Sequence, residues 1–413
     1  MKENKKKKII VLGAGFAGIY ALKSIYRHIK NWDNFDIVII DQRNYFIFTP
    51  LLHEVATGGI DPGDIVDPIR DIARKSTEHY EARVLEIDLK QKLVDTSQGH
   101  VPYDYLIMAL GAETNYFSVS GAEKYSFSLK NIEDARRLKK HLIHIFDQAN
   151  LEPNPEKKSD LLRIIFIGGG ATGVELAGEV QEFLKEIAKK FQHISSSDIE
   201  LYLVEAGDRL LPMFNPDFSK KALEILKEKG FKVIFGDPCA SISEDGIICV
   251  STSSLKSKTI IWSSGVLPEF IPIIPEPEKQ KGRILVESSL NLKEFPEVFI
   301  LGDQAAFPDS RFGLLPPTAQ VAIEQGNFVG KNLARLISQK PLLPFHYFHK
   351  GNLVSIGKWK AFAEIGKVNF DGPAAWFIWR FNYLFRMPRF AKKARLFFDW
   401  ILYLFSKRDI SEI

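Results

Sequence analysis

Glycines 168, 170 and 173 and a glutamate at 205 have types and a spacing that could do chemistry. The glycines fall in Gly168-Gly169-Gly170-Ala171-Thr172-Gly173, after the apolar run Ile164-Ile165-Phe166-Ile167 and before a helical pattern. In such a stretch Gly168 permits a tight turn, Gly170 lets the backbone approach a pyrophosphate, and Gly173 lets helix and strand pack closely. The helix start beyond them offers unpaired N–H groups and the positive end of a dipole to phosphate. Further on, the apolar strand Ile199 to Val204 ends in Glu205. A carboxylate there can accept both ribose hydroxyls of NADH and would repel the extra phosphate of NADPH.

The pattern occurs twice. Lys8 to Leu12 reads as a short strand, Gly13-Ala14-Gly15-Phe16-Ala17-Gly18 as the turn, and Ile19 to Ile29 as a helix; Phe35 to Ile40 is a strand ending in Asp41. One glycine motif is weak evidence, but two, each with its strand-end acid, imply two dinucleotides, economically FAD with NAD(P)H. The elements that position them are strand–turn–helix units, so the fold class is α/β with two Rossmann-like domains.

Between the motifs, the aromatic-rich run Arg43 to Gly59 would lie along the first cofactor. Its His53-Glu54 fails the zinc-helix pattern because Thr57 stands where a second histidine is needed, so His53 is expected packed or solvated. Two strands end in glycines, Gly111 and Gly265, and a third ends in Gly302-Asp303. An acid at that strand end suits the ribityl chain of FAD, and a nearby helix start would stabilise negative charge on a reduced flavin. The first domain is therefore expected to be discontinuous, residues 1–116 and 282–330, with an NADH domain over 117–281 and a C-terminal region over 331–413. Residues 150–160, with Pro153 and Pro155, read as a polar linker.

A chain of 413 residues can hold two or three domains with ample core. Cys239 and Cys249 are its two cysteines; they form no CxxC and no disulfide framework, and suit a reducing compartment as small buried apolar residues. His346 and His349 read as a loop pair, so no metal site is expected, nor a nucleic-acid partner. No stretch reaches the roughly 18 to 20 apolar residues of a spanning helix. The net charge of +4 resides in the tail, where residues 376–413 carry eight Lys/Arg against three acids. Trp376, Trp379 and Tyr383, with Phe377, Phe381 and Leu384, recur there at three- and four-residue spacings, and a second basic and apolar segment runs to Phe405. Short aromatic, basic helices lie in the interface plane of anionic membranes; packing on the core or on a second subunit is the alternative.

With these residues in view, the sequence resembles the type II NADH:quinone oxidoreductases, single-subunit and non-proton-pumping NADH dehydrogenases, over nearly its whole length. The resemblance rests on Gly13 to Gly18 with Asp41, Phe48 to Gly58, Gly168 to Glu179 with Glu205, Gly302-Asp303, and Ala319-Gln320-Val321-Ala322. It implies non-covalent FAD held by Gly13, Gly15, Phe16, Ala17, Asp41, Thr49, Gly111 and Asp303. NADH would be held by Gly168, Gly170, Thr172, Gly173, Glu175 and Glu205, with Glu175 near the nicotinamide; Val84 and Gly265 complete the cofactor-binding set. Gln320 would sit at the quinone end of the flavin, and Glu175, Gln320 and Glu324 would carry catalysis. Glu324 stands where relatives usually have glutamine, and His53 where they often have tyrosine. The resemblance further implies hydride transfer from NADH to flavin, then two electrons to a membrane quinone of a respiratory chain. A C-terminal amphipathic anchor would hold the protein peripherally at the cytoplasmic face of the inner membrane, with a homodimer left open. Sulfide:quinone oxidoreductase shares the architecture but needs cysteines flanking the flavin. A flavin-bearing binding or signalling protein with low turnover also stays open.

Overall fold

The computed structural model describes residues 6–31, 34–251, 254–405, 408 and 410. The chain divides into two compact units, residues 1–47, 66–113 and 266–348 in the first and 48–65, 114–265 and 349–413 in the second.

The first unit is built on a five-stranded parallel sheet in the order Val298–Ile300, Tyr105–Met108, Lys7–Leu12, Phe35–Asp41, Thr77–Glu81. Its central strands are near-continuous apolar runs: Ile9 to Leu12, Ile37 to Ile40 and Leu106 to Met108 are all essentially buried. A parallel strand covered on both faces has no polar side to alternate with. The helix Phe16–His28 follows the first glycine turn, and Ala319–Ile337 packs along it. Two glycines one turn apart make that approach close: a Cβ on Gly326 would fall 2.6 Å from the Ala17 carbonyl oxygen, and one on Gly330 2.4 Å from Ser24. Ser24 Oγ donates to the Asn327 carbonyl at 2.5 Å across the same seam.

The second unit repeats the plan with four parallel strands in the order Phe231–Phe235, Glu200–Glu205, Arg163–Ile167, Thr259–Trp262. The helix Ala171–Ala188 follows the second glycine turn. Cys239 and Cys249 face each other across an antiparallel hairpin, both buried and neither in a disulfide. An antiparallel meander, Asn352–Ser355, Ala361–Ile365 and Val368–Asp371, leads into the tail helices Gly372–Arg386 and Phe390–Phe405. Among the described residues no helix is long and apolar enough to cross a membrane.

Several expected boundaries move. Residues 266–281 join the first unit because Ile273 and Ile274 pair with Ile87 and Asp88. Residues 48–65 join the second, where Trp400 Nε1 donates to Glu54 Oε2 at 3.0 Å. The expected linker contains the helix Pro155–Leu162, capped by Asn154, whose side chain accepts from the Glu156 and Lys157 N–H groups. The tail also differs from a detachable anchor: Trp376 and Trp379 are 1 % exposed and Leu396 is fully buried. Cutting the chain after Ala375 would strip these contacts from the second unit.

Candidate functional site

The two glycine turns have the same construction. Gly13 and Gly168 sit at positive φ, +88° and +108°, where a side chain would be strained. A Cβ on Gly18 would fall 1.8 Å from the Gly13 carbonyl oxygen, and one on Gly173 2.0 Å from that of Gly168, so the third glycine of each motif lets the helix lie against the turn. Gly15 and Gly170 differ: a Cβ there would meet nothing within 4 Å. These two are also the N-caps of Phe16–His28 and Ala171–Ala188, and neither helix has a side-chain cap or an acid in its first turn. Each therefore presents uncapped N–H donors and the positive end of its dipole to open space, the arrangement that takes a phosphate.

The strand-end acids brace these turns. Asp41 Oδ2 accepts from the Ala14 N–H at 2.7 Å, and its Oδ1 from the Arg43 N–H at 2.8 Å. Glu205 does the same in the second copy, accepting from Gly169 at 2.6 Å and from Gly207 at 2.6 Å. Both carboxylates thus lie at the mouth of the turn that their strand adjoins. Both sets of residues fit a dinucleotide: open space at the second glycine, a helix start with no side-chain cap, and an acid alongside.

The first unit also holds Val84, Gly111, Asp303, Gln320 and Glu324. Gly302 adopts φ +65° and donates its N–H to Gln325 Oε1 at 2.6 Å, which ties the Gly-Asp turn to the helix Ala319–Ile337. Gln304 Nε2 spans the carbonyls of Gly111 and Glu269, each at 3.0 Å. Gln320 Nε2 is a buried donor with no hydrogen-bond partner among the described residues. Thr49 and Gly265 fall in the second unit with Gly168, Gly170, Thr172, Gly173, Glu175 and Glu205. Gly265 is at φ +71°, close against Phe117.

Glu175 projects from the second-copy helix into a buried cluster of the second unit. Its Oε1 accepts from Trp379 Nε1 at 2.8 Å and from the Ser355 N–H at 3.2 Å. Burial pushes its carboxyl pKa up; His53, Trp379 and Ser355 pull the other way. Tyr383 packs edge-on to Trp379, and burial raises its phenol well above the usual value. Glu54, the residue after His53, pairs with Arg380 at 3.4 Å, and Arg380 lies between the Trp376 and Trp400 rings at 4.2 and 4.6 Å.

A second tie joins Phe390–Phe405 to the turn Pro62–Asp64. Arg395 Nε lies 2.6 Å from Asp64 Oδ1, and Lys392 donates to the Gly63 carbonyl. Asp64 is fully buried; burial and a hydrogen bond shared with Asp399 push its pKa up to about 7 from 3.8. A carboxyl raised in the folded state contributes its stability in full below the unfolded pKa and loses it as pH rises through the folded one. The unfolding midpoint should therefore fall as pH rises towards and through about 7, and Asp399→Asn should flatten that slope in a thermal series. An equal slope in the variant would show that the pair does not govern it.

Several of these residues escape motif reading. Gln325, Ser355, Trp379 and Arg380 act through partners far away in sequence. Asn154 was passed over in the expected linker, although Asn before Pro is a helix-start signal.

A family model described as Pyridine nucleotide-disulphide oxidoreductase matches residues 7–326, and one described as NDH2 C-terminal domain matches residues 349–409. A Type II NADH:quinone oxidoreductase of Staphylococcus saprophyticus is 30% identical over 357 residues, 85% of this chain and 88% of its own. The Type II NADH:quinone oxidoreductase Ndh of Mycobacterium tuberculosis is 30% identical over 98% of this chain and 89% of its own. Among solved structures, NDH2 from Plasmodium falciparum in complex with NADH superposes with a TM-score of 0.89 at 21% identity, covering 98% of this chain and 100% of that one. The sulfide:quinone oxidoreductase of Aquifex aeolicus gives 0.74 at 17%, covering 97% and 95%. These two likenesses speak to fold.

Proposed function

The chain belongs to the type II NADH:quinone oxidoreductases, and from that premise we propose how its own residues take electrons from NADH and deliver them to a quinone. The carrying observation is the pair of matched turns, each with open space at its second glycine and an uncapped helix start behind it. FAD, when bound, supplies the two-electron carrier between the two substrates.

Gly13, Gly15, Phe16, Ala17 and Asp41 form the first turn and would hold the FAD pyrophosphate and ribose, joined by Thr49, Val84, Gly111 and Asp303. Gly168, Gly170, Thr172, Gly173 and Glu205 would hold NADH in the same way, with Glu175 and Gly265 towards the nicotinamide. Gln320 Nε2, an unpartnered buried donor, suits a quinone carbonyl oxygen. Glu324 lies one turn further along that helix and would act at the same end.

The tail supports a membrane-surface role. Phe377, Phe381 and Phe385 recur every four residues and are 45%, 45% and 74% exposed, a stripe on the face away from the buried tryptophans. Phe390, Phe398 and Leu402 are exposed on the next helix. Aromatic side chains on helices that also carry the partly or fully exposed Arg386, Arg389, Lys392, Lys393 and Arg395 suit anionic lipid. The protein would then lie peripherally on the cytoplasmic membrane face, drawing its quinone from the lipid; the same apolar stripe would serve a homodimer. Sulfide chemistry is less well supported: Cys239 and Cys249 share a buried hairpin, and burial pushes the Cys239 thiol up to about 11, the opposite of a nucleophilic cysteine.

NADH oxidation with a short-chain quinone tests the reading, and absence of quinone-dependent turnover by the FAD-loaded protein would end it. NADH should be preferred over NADPH, and Glu205→Gln should narrow that preference by about tenfold, the effect of ~1.4 kcal/mol. Equal kcat/KM for the two nucleotides in the wild type would remove Glu205 from the ribose.

A further inference from the structure

Phe117 holds a backbone conformation that a bulky side chain rarely adopts, φ +49°, and Ser118 beside it is at +57°. Strain of this kind persists only where the surrounding structure imposes it, and it gathers at binding sites. The Phe117 N–H donates to Asn115 Oδ1 at 2.8 Å, the Asn115 N–H to the Gly265 carbonyl at 3.3 Å, and Trp262 Nε1 to the Asn115 carbonyl at 3.0 Å. Tyr116 packs on the buried core beside the Trp262 ring, centroids 5.6 Å apart. These restraints hold out a phenyl ring that stays 58% exposed. An exposed ring gains little from burial that could offset a strained backbone, so packing does not explain its place.

Its neighbours do. A Cβ on Gly265 would fall 2.4 Å from Phe117 Cζ, so the ring lies on a residue where only glycine leaves room. Gly265 ends the run Ser263-Ser264-Gly265, which follows the strand Thr259–Trp262 and lines the second glycine turn. A Cβ on Gly168 would meet Ser264 Cβ at 3.0 Å, and one on Gly173 would meet Ser263 Oγ at 2.6 Å. The strand Arg163–Ile167 leads into that turn, with Glu200–Glu205 on one side of it and Thr259–Trp262 on the other. A dinucleotide whose pyrophosphate sits at the turn lays one half towards each neighbour. Glu205 takes the adenosine ribose, which leaves the nicotinamide riboside over residues 263–265. We propose that Phe117 is a further NADH-binding residue, an apolar shelf beneath the nicotinamide riboside half; this rests on the dinucleotide reading of the second turn given above. Phe117, Gly265 and the turn all belong to the second unit. The braced backbone fixes the ring before NADH arrives, so little ordering is left to the binding step.

Calorimetric titration of the FAD-loaded protein with NAD⁺, and with ADP, which lacks the nicotinamide riboside, separates the two halves without turnover. Phe117→Ala should weaken NAD⁺ binding by about tenfold, within the range of an aromatic contact to a base. ADP binding should change by less than about twofold, well below that loss. Phe117→Tyr, which keeps the ring, should bind NAD⁺ as the wild type does. Phe117→Gly removes the ring and the strain together, because glycine adopts positive φ freely. It should lose NAD⁺ affinity as the alanine variant does, while its unfolding midpoint stays at or above that of the wild type, and so it guards against misfolding of the alanine variant. Wild-type NAD⁺ affinity in both Phe117→Ala and Phe117→Gly, or a loss that is equal for NAD⁺ and ADP, would overturn the proposal. A wild type that binds neither NAD⁺ nor ADP would instead overturn the dinucleotide reading of the turn, and the wild-type titration tells the two failures apart.

Discussion

Arg380→Ala is expected to destabilise the second unit by about 3–5 kcal/mol, the cost of leaving one member of a buried ion pair uncompensated. Glu54 is 2% exposed and, among the described residues, would keep the Trp400 indole bond after the guanidinium is removed. The rings of Trp376 and Trp400, 4.2 and 4.6 Å from the guanidinium carbon, would also lose their cation. Urea denaturation gives the measurement. Combining Arg380→Met with Glu54→Gln should cost less than the sum of the two single changes, because the second removes the charge that the first strands. A loss below about 1 kcal/mol for Arg380→Ala, the range of exposed pairs, would show that the pair is solvated.

The second large effect concerns lipid. Truncation cannot isolate membrane binding, because the tail helices bury Trp376, Trp379, Leu396 and Trp400 in the second unit. Replacing Phe385, Phe398 and Leu402 by serine touches only side chains that are 74%, 62% and 62% exposed. Each large apolar side chain buried in a bilayer interface contributes about 1.5–3 kcal/mol, so the triple change should lower liposome partitioning by at least 100-fold. The unfolding midpoint and NADH oxidation with a water-soluble acceptor should stay close to wild type. Unchanged sedimentation with anionic liposomes would mean that the exposed apolar residues do not meet the membrane.

Both glycine turns could be read from the sequence because positive φ and carbonyl contact near 2 Å admit no side chain. Strain of that kind leaves its mark on residue type. The acids Asp41 and Glu205 followed from their places at strand ends. The docking of the tail was not legible. Trp376 and Trp379 alternate with Phe377 and Phe381 around one helix, so aromatic residues occur on every side, and spacing does not say which side meets protein. The structure separates them: the tryptophans are buried, and the phenylalanines are 45% exposed. His53 and Glu54 were hidden for a related reason. Their partners Trp379, Arg380 and Trp400 lie more than 300 residues away, and no local pattern records a contact of that range.

The order in which the chain visits its two units has a consequence for its birth on the ribosome. The strand Lys7–Leu12 pairs with Tyr105–Met108, whose other edge waits for Val298–Ile300. Glu54 waits still longer, for Arg380 and Trp400. At about 5–20 residues per second these gaps last roughly tens of seconds. Throughout that time an apolar parallel strand edge and a desolvating carboxylate stand without their partners, open to the aggregation that unpaired edges invite. Nascent chains of this protein should therefore occupy chaperones until almost the whole tail has been made, and a synonymous change that slows translation between residues 300 and 380 should lengthen that occupancy.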